Sequence, residues 1–256
     1  MGTLCPFRMP GSLNAYQIAI GCQFIIYFTH IMILILRGHI RNSMDDSTLL
    51  NTMKGIVEKF PDISIFIHSW NVVASSISYR HIVENNTKLT SEYILHYFND
   101  IQANILHIEI SDDTSIELIG DTNGFFGSAP KIGWKRMWYG KYKILNIIKS
   151  VTSDVNEIVI NMRFDINNVN GNILNTNEIL SFIENVHNTQ NRDIVFYWPT
   201  TMCDNFYSGS LENMYILTHD FHTNLGDILM RLPNTPNQEV YVTNNVKYLK
   251  ELNMFR

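Results

Sequence analysis

The sequence predicts an α/β domain with a mostly parallel central sheet flanked by helices. Three observations carry that reading. Short apolar runs alternate along the chain with longer stretches of helical periodicity. Several of the short runs are almost continuously apolar, as parallel strands covered on both faces are. No internal repeat or long linker interrupts them, and 256 residues with 45% hydrophobic content suffice for one sizeable core. The expected organisation is a single Rossmann-like domain over residues 32–256, preceded by an extension over residues 1–31.

"MILILR" (32–37), followed by Gly38, reads as the first buried parallel strand. It ends a longer apolar stretch, residues 18–36, which is nearly long enough to cross a bilayer but is interrupted by Gln23, Thr29 and His30. A signal-anchor helix there is the alternative to an extension that leads into the strand. "DDSTLLNTMKGIVEKF" (45–60) places Leu49, Leu50, Met53, Ile56 and Val57 on one helical face, with Ser47 or a neighbouring Asp as its cap and Pro61-Asp62 as its stop. "ISIFIH" (63–68) is the second strand. "TSEYILHYFNDI" (90–101) is a helix with Thr90 as N-cap, and "ILHIEI" (105–110) is the third strand. A polar, Gly-rich stretch (120–134) reads as a functional loop. A helix over 135–151 leads into "EIVINMRFDI" (157–166), a strand that ends in Arg163 and Asp165. A helix over 175–188, a strand over 193–198, a helical stretch over 210–232 divided near Gly226, and a closing segment over 237–252 complete the pattern.

Composition removes several function classes. The net charge is −5 and no dense Lys/Arg run occurs, so the basic face of a nucleic-acid-binding protein is missing. Cys5, Cys22 and Cys203 are odd in number and lack CxxC spacing, which supports neither a zinc site nor a disulfide framework. A reducing, cytoplasmic setting follows, with membrane association through residues 18–36 as the open alternative.

Ligands of open α/β sheets bind beyond the carboxyl ends of the strands. Three strands here end in polar clusters: Arg37-Gly38-His39-Ile40-Arg41-Asn42, His68-Ser69-Trp70-Asn71 and Arg163-Phe164-Asp165. If the strands are parallel, the clusters share one rim. The first suits phosphate, because Gly38 admits close backbone approach while Arg37 and Arg41 supply charge. It is neither a P-loop nor a GxGxxG fingerprint, and a pair of surface arginines is the plain alternative. The third suits a divalent ion or a sugar, with Asp165 and Asn167 offering oxygens at i and i+2. Its plain alternative is a surface ion pair between Arg163 and Asp165. Asp112-Asp113 is a second candidate metal site, and His219 with His222, at i and i+3, a third. Trp134, Trp138 and Tyr139 form an aromatic group that either stacks on a nucleotide base or sugar, or anchors the Gly-rich loop.

Three segments carry a family resemblance: "LILRGHIRNS" with "IFIHSWN", then "GWKRMWYGKYKILNIIKS" leading to "VINMRFDI", and "DNFYSGSLENM" with "NQE" downstream. In order and spacing the chain resembles the glycosyltransferase-like proteins of surface-polysaccharide and lipopolysaccharide synthesis found in bacteria and large DNA viruses. The resemblance implies a GT-A-like domain, a nucleotide-sugar donor, a glycan or other hydroxyl acceptor, and Mn2+ or Mg2+ as cofactor. If the protein is viral, it implies work in the host cytoplasm. Arg37, Gly38, His39, Arg41, Asn42, His68, Trp70 and Trp134 would hold the donor, and Asp165 the metal. The family's Asp-x-Asp is here Arg163-Phe164-Asp165, with a single carboxylate, so Arg163 would supply part of the ion's charge to the diphosphate. Asp204 and Glu239 are the candidate bases for the acceptor hydroxyl, against a helix cap for Asp204 and a solvated side chain for Glu239. As a rim residue, Asp165 should be replaceable by alanine with loss of transfer and little change in melting temperature. A non-catalytic module that binds nucleotide or glycan is the alternative function. A two-domain GT-B arrangement would need a longer chain than residues 32–256 provide.

Overall fold

The structure, a computed structural model, describes residues 17–20, 23–26, 32–77, 83–126, 129–168, 174–198, 203–232 and 238–255. Six strands form one sheet: β1 (Met32–Arg37), β2 (Ser64–Trp70), β3 (Ile105–Ser111), β4 (Ile158–Arg163), β5 (Val195–Phe196) and β6 (Tyr207–Ser210). Their order is β5-β6-β4-β1-β2-β3. Strands β4, β1, β2 and β3 run parallel, and β6 runs antiparallel to both β4 and β5. The helices are α1 (Thr48–Lys59), α2 (Ser91–Tyr97), α3 (Lys131–Val151), α4 (Thr176–Thr189), α5 (Leu211–Thr223), α6 (Leu225–Arg231) and α7 (Gln238–Glu251). This is the α/β architecture that the alternation of segments predicts, with a mostly parallel sheet flanked by helices.

The topology creates one crevice. From β1 the chain steps outward to β2 and then β3, and α3 carries it back to lay β4 on the opposite side of β1. The direction of winding therefore reverses between β1 and β4, where the loops leaving the two strands diverge and leave a gap.

Strand β1 sits mid-sheet and has no solvent face. Leu34 and Leu36 point into a core built with Leu49, Met53 and Ile56 of α1 and Ile179 and Ile183 of α4. Ile33 and Ile35 point the other way, into a core with Trp138 and Ile148 of α3, Phe221 of α5 and Val242 of α7. Each such side chain gains about 1.5–3 kcal/mol from burial, which is why the strand reads as an unbroken apolar run. Helix starts follow local chemistry. Asn175 and Glu178 form a reciprocal capping box at α4, with bonds of 3.0 and 2.9 Å, and the Thr90 hydroxyl accepts from the Tyr93 amide at 3.2 Å at α2.

Several boundaries differ from the sequence reading. Helix α3 starts at Lys131 rather than 135, because Trp134 in its first turn packs edge-on against Trp138 and Phe221. The helical stretch over 210–232 divides at Asn224, near Gly226 as expected, and Asn224 Nδ2 donates to Asp220 Oδ1 at 2.8 Å. The strand expected over 193–198 shortens to Val195–Phe196. The stretch 90–101 is α-helical only to Tyr97, then tightens into a 3-10 turn over Asn99–Asn104. Upstream, Gln17–Ile20 pairs antiparallel with Gln23–Ile26, and the rest of the expected extension lies outside the described residues. Among the described residues no helix is long and apolar enough to cross a membrane.

Glu157, at the entry to β4, is 8% exposed, and burial pushes its carboxyl from the ordinary 4.5 up to about 7. A carboxyl whose folded value is raised favours the fold when protonated. Its contribution is therefore present below pH 4.5 and is lost as the pH rises through about 7. Glu157→Gln is expected to stabilise the protein above pH 7 by on the order of 2 kcal/mol and to be neutral near pH 4, as read from thermal melts across that range.

Candidate functional site

The register of the parallel strands sets three polar side chains side by side. Arg37 pairs with Arg163 across β1–β4 and with His68 across β1–β2. All three line a cavity of about 130 Å³ beyond the carboxyl ends of the strands. Gly38, with φ of +101°, turns the chain immediately after β1 and is held there by its amide on the His68 carbonyl at 3.0 Å. Arg41 also has a left-handed backbone, φ 51°, with its amide on the Val73 carbonyl at 2.9 Å. Such a conformation is uncommon for a residue with a Cβ and costs about 1 kcal/mol; it concentrates at ligand clamps.

One hydrogen-bonded network ties these tips to the chain entering β6. Arg37 Nε donates to Asn161 Oδ1 at 2.7 Å, and its Nη2 donates to the Asp204 carbonyl. Lys141 Nζ reaches the same carbonyl from α3 at 3.1 Å. Asn161 Nδ2 donates to the Asn205 carbonyl at 3.3 Å, while Arg163 Nη1 donates to Asn205 Oδ1 at 2.9 Å. Arg163 then grips Asp165 with both arms, Nε to Oδ1 at 2.7 Å and Nη2 to Oδ2 at 2.6 Å. Arg41 Nη1 closes on Asp165 Oδ2 at 2.7 Å. The first and third strand-tip clusters therefore meet, as the rim picture requires.

The cavity carries a positive field from fixed charges. Arg37 is 4% exposed, yet both side-chain partners described for it are neutral, an amide oxygen and a carbonyl. Burial lowers its pKa only to about 10, so it stays charged at neutral pH. Arg41, Arg136 and Arg163 also line the cavity. His39 and His68 do not add to the charge: burial first, and nearby arginines second, pull each imidazole down to about 3. The N-terminal turns of α3 border the same space at Pro130 and Gly133. The first turn holds no acidic residue, and Pro130 at the cap offers no side-chain acceptor. The first amide of this 21-residue helix, on Lys131, donates to the Gly124 carbonyl at 3.0 Å, and the positive end of the helix dipole adds to the field at the cavity. Opposing charges are present too. Asp204 and Glu239 line the wall, and Asp113 pairs with Arg136 at 2.7 Å.

Of the residues singled out from sequence, Arg37, Gly38, His39, Arg41, His68, Trp70, Trp134, Arg163, Asp204 and Glu239 all border this cavity. Asn42 and Asp165 do not; they border a larger cleft on the far side of Arg41, which lines both spaces. Asp165 is 6% exposed, and both of its oxygens accept from guanidinium groups. No group of three His, Cys, Asp or Glu side chains among the described residues is placed to hold a metal ion. A divalent ion at Asp165 would sit against two cations, so the donor set fits a carboxylate clamped between arginines and does not fit the expected ion. The other metal candidates have other partners. Asp112 accepts from Thr114 in a local turn, and His219 and His222 pack around the Tyr142 ring, away from the cavity.

The aromatic group divides as well. Trp138 is fully buried against Phe221, with centroids 4.1 Å apart, and Tyr139 stacks on Trp70, so Trp134 alone of the three reaches the cavity wall. Sequence reasoning missed Asn161, Lys141 and Arg136. The first two left a signal: Asn161 is the lone amide inside an apolar strand, and Lys141 falls on the same helical face as Trp138 and Leu145. Arg136 left none. No protein-family model matches the chain, and no curated protein is significantly similar to it.

Proposed function

We propose that the chain is a GT-A-like glycosyltransferase that moves a sugar from a nucleotide-sugar donor to a hydroxyl of a glycan or another acceptor. The observation that carries this reading is Arg37, a buried guanidinium without a described carboxylate partner, standing level with Arg163 at a topological switch point. A buried cation is costly unless an anion compensates it, and a diphosphate at the crevice is such an anion. The order of α3, β4 and the Arg163-Phe164-Asp165 tip, read from the resemblance, supports the same assignment.

In the proposed reaction the bond between the anomeric carbon and the donor phosphate oxygen breaks, and its electron pair stays on the diphosphate. Arg37, Arg41 and Arg163 face that developing charge as donors already fixed in place by their hydrogen bonds. The acceptor oxygen bonds to the anomeric carbon and its proton passes to a carboxylate, for which Asp204 and Glu239 are the two groups on the wall. Asp165 orients the Arg41 and Arg163 forks. A second reading, a module that binds nucleotide or glycan without turnover, is favoured by one observation: the carboxylate nearest the arginines is wholly engaged by them.

A thermal-shift screen of sugar nucleotides, nucleoside diphosphates and nucleosides, with and without Mn2+ or Mg2+, tests the proposal. Diphosphates are expected to stabilise, by about 2.7 kcal/mol at a hundredfold excess over Kd, and nucleosides to do nothing. A shift that needs no metal fits the arginine clamp, while a strict metal requirement overturns it. Product analysis with the stabilising donor separates the two readings, since the module yields neither transfer nor hydrolysis. If no nucleoside diphosphate stabilises the protein, the transferase reading and the nucleotide-binding form of the module both fail.

A further inference from the structure

The space beyond Arg41 differs in kind from the arginine cavity. It is a cleft of about 830 Å³, against about 130 Å³, and so has room for more than one sugar ring. One wall is the turn after β1, with Asn42 and Asp45; the other is a hairpin pairing Val72–Ala74 with Asn85–Lys88, and α2 contributes Tyr93. The polar lining consists mainly of amides and carboxylates: Asn42, Asp45, Glu84, Asn85 and Asn86. Its one cation, among the described lining residues, is Arg41, which pairs with Asp165 at 2.7 Å. Within this polar lining stand two exposed apolar surfaces, Tyr93 at 51% and Val83 at 86%.

The two compartments therefore select opposite chemistries. A phosphate gains nothing in a cleft that presents Asp45 and Glu84, and belongs with the guanidinium groups on the other side of Arg41. A neutral polyol suits the cleft. Its hydroxyls both donate to carboxylates and exchange bonds with amides, and the C–H face of a pyranose covers an exposed aromatic ring.

We propose that this cleft binds a neutral oligosaccharide, the acceptor of the transfer, with Tyr93 as its stacking platform and Glu84, Asn85 and Asn86 as its hydroxyl partners. The assignment rests on the transferase reading for the word acceptor, but saccharide binding itself does not. Arg41, bordering both spaces, marks the boundary at which donor and acceptor would meet.

The test uses the full chain, a panel of neutral di- to tetrasaccharides, and uridine, guanosine and adenosine diphosphates as separate probes, read by calorimetry or saturation-transfer NMR. At least one saccharide is expected to bind. Tyr93→Ala is expected to weaken it tenfold or more and Glu84→Gln severalfold, with diphosphate affinity unchanged in both. Tyr93 and Glu84 are exposed, so the variants should fold, and unchanged diphosphate binding reports that they have. If Tyr93→Ala weakens diphosphate and saccharide alike, the cleft holds the donor's nucleoside and the proposal is overturned. If diphosphates bind but no saccharide does, or both variants bind saccharide like the parent chain, the cleft assignment falls while the donor site stands. If no diphosphate binds either, the transferase reading falls with it.

Discussion

Arg37→Met is expected to abolish diphosphate binding while leaving the melting temperature at or above that of the parent chain. The two halves of that result have one cause. Desolvating a guanidinium whose hydrogen-bond partners among the described residues are neutral costs several kcal/mol, and methionine removes that cost while keeping an apolar stem. The substitution loses the bond to Asn161 Oδ1, worth about 1–3 kcal/mol once the oxygen is orphaned. The Asp204 carbonyl keeps Lys141 as a donor, so that side of the network survives. Binding has no such substitute. A charge-assisted contact to phosphate from a buried guanidinium, with the field it adds to Arg41 and Arg163, corresponds to a loss of about a hundredfold or more. Calorimetry with the diphosphate that stabilises the parent chain measures one half, and a thermal melt the other. A variant that unfolds would make Arg37 a structural residue, and one that binds normally would place the anion elsewhere.

The parts of the site that were legible in the sequence are those where a polar residue contradicts its surroundings. Arg37 and Arg163 end apolar strands, and register then sets them level because parallel neighbours share a direction. Asn161 carries the same kind of signal inside β4. What stayed hidden was set by tertiary pairing. Tyr207-Ser208-Gly209-Ser210 has weak strand propensity and reads as a turn; it is strand β6 because β4 offers it a ladder and Ile194 packs where a Gly209 side chain would project. Without β6, the connection of Asp204 and Asn205 to the strand tips cannot be anticipated. Gly140 shows the same limit. It looks like a weak point in a helix, but a Cβ there would come within 2.6 Å of the His68 ring, so α3 needs it to press against β2. The single carboxylate of Arg163-Phe164-Asp165 is visible in the sequence, but its enclosure by two arginines requires Arg41 to arrive from the turn after β1.

That enclosure changes what removing Asp165 should do. A rim carboxylate could be replaced with little effect on the fold, as the sequence alone led one to expect. At 6% exposure, with guanidinium contacts at 2.6 and 2.7 Å, Asp165 is instead the shared counter-charge of Arg41 and Arg163. Asp165→Ala leaves two partly buried cations facing each other. Breaking a fully buried pair costs about 3–5 kcal/mol, and the partial exposure brings the expected cost to about 3 kcal/mol, equivalent to a fall in melting temperature of about 10 °C. An anion added from solution can restore the missing charge, because the arginines that lose Asp165 are those assigned to the diphosphate. The stability of Asp165→Ala should therefore depend on inorganic phosphate or pyrophosphate far more steeply than that of the parent chain, with most of the lost melting temperature recovered at millimolar anion. Asp165→Asn, which keeps one oxygen acceptor, should lie between the two. Recovery with pyrophosphate but not with an equal ionic strength of chloride identifies a specific anion site at the arginines. Equal recovery by both would reduce the effect to screening, and an alanine variant that melts like the parent chain would mean the clamp contributes nothing.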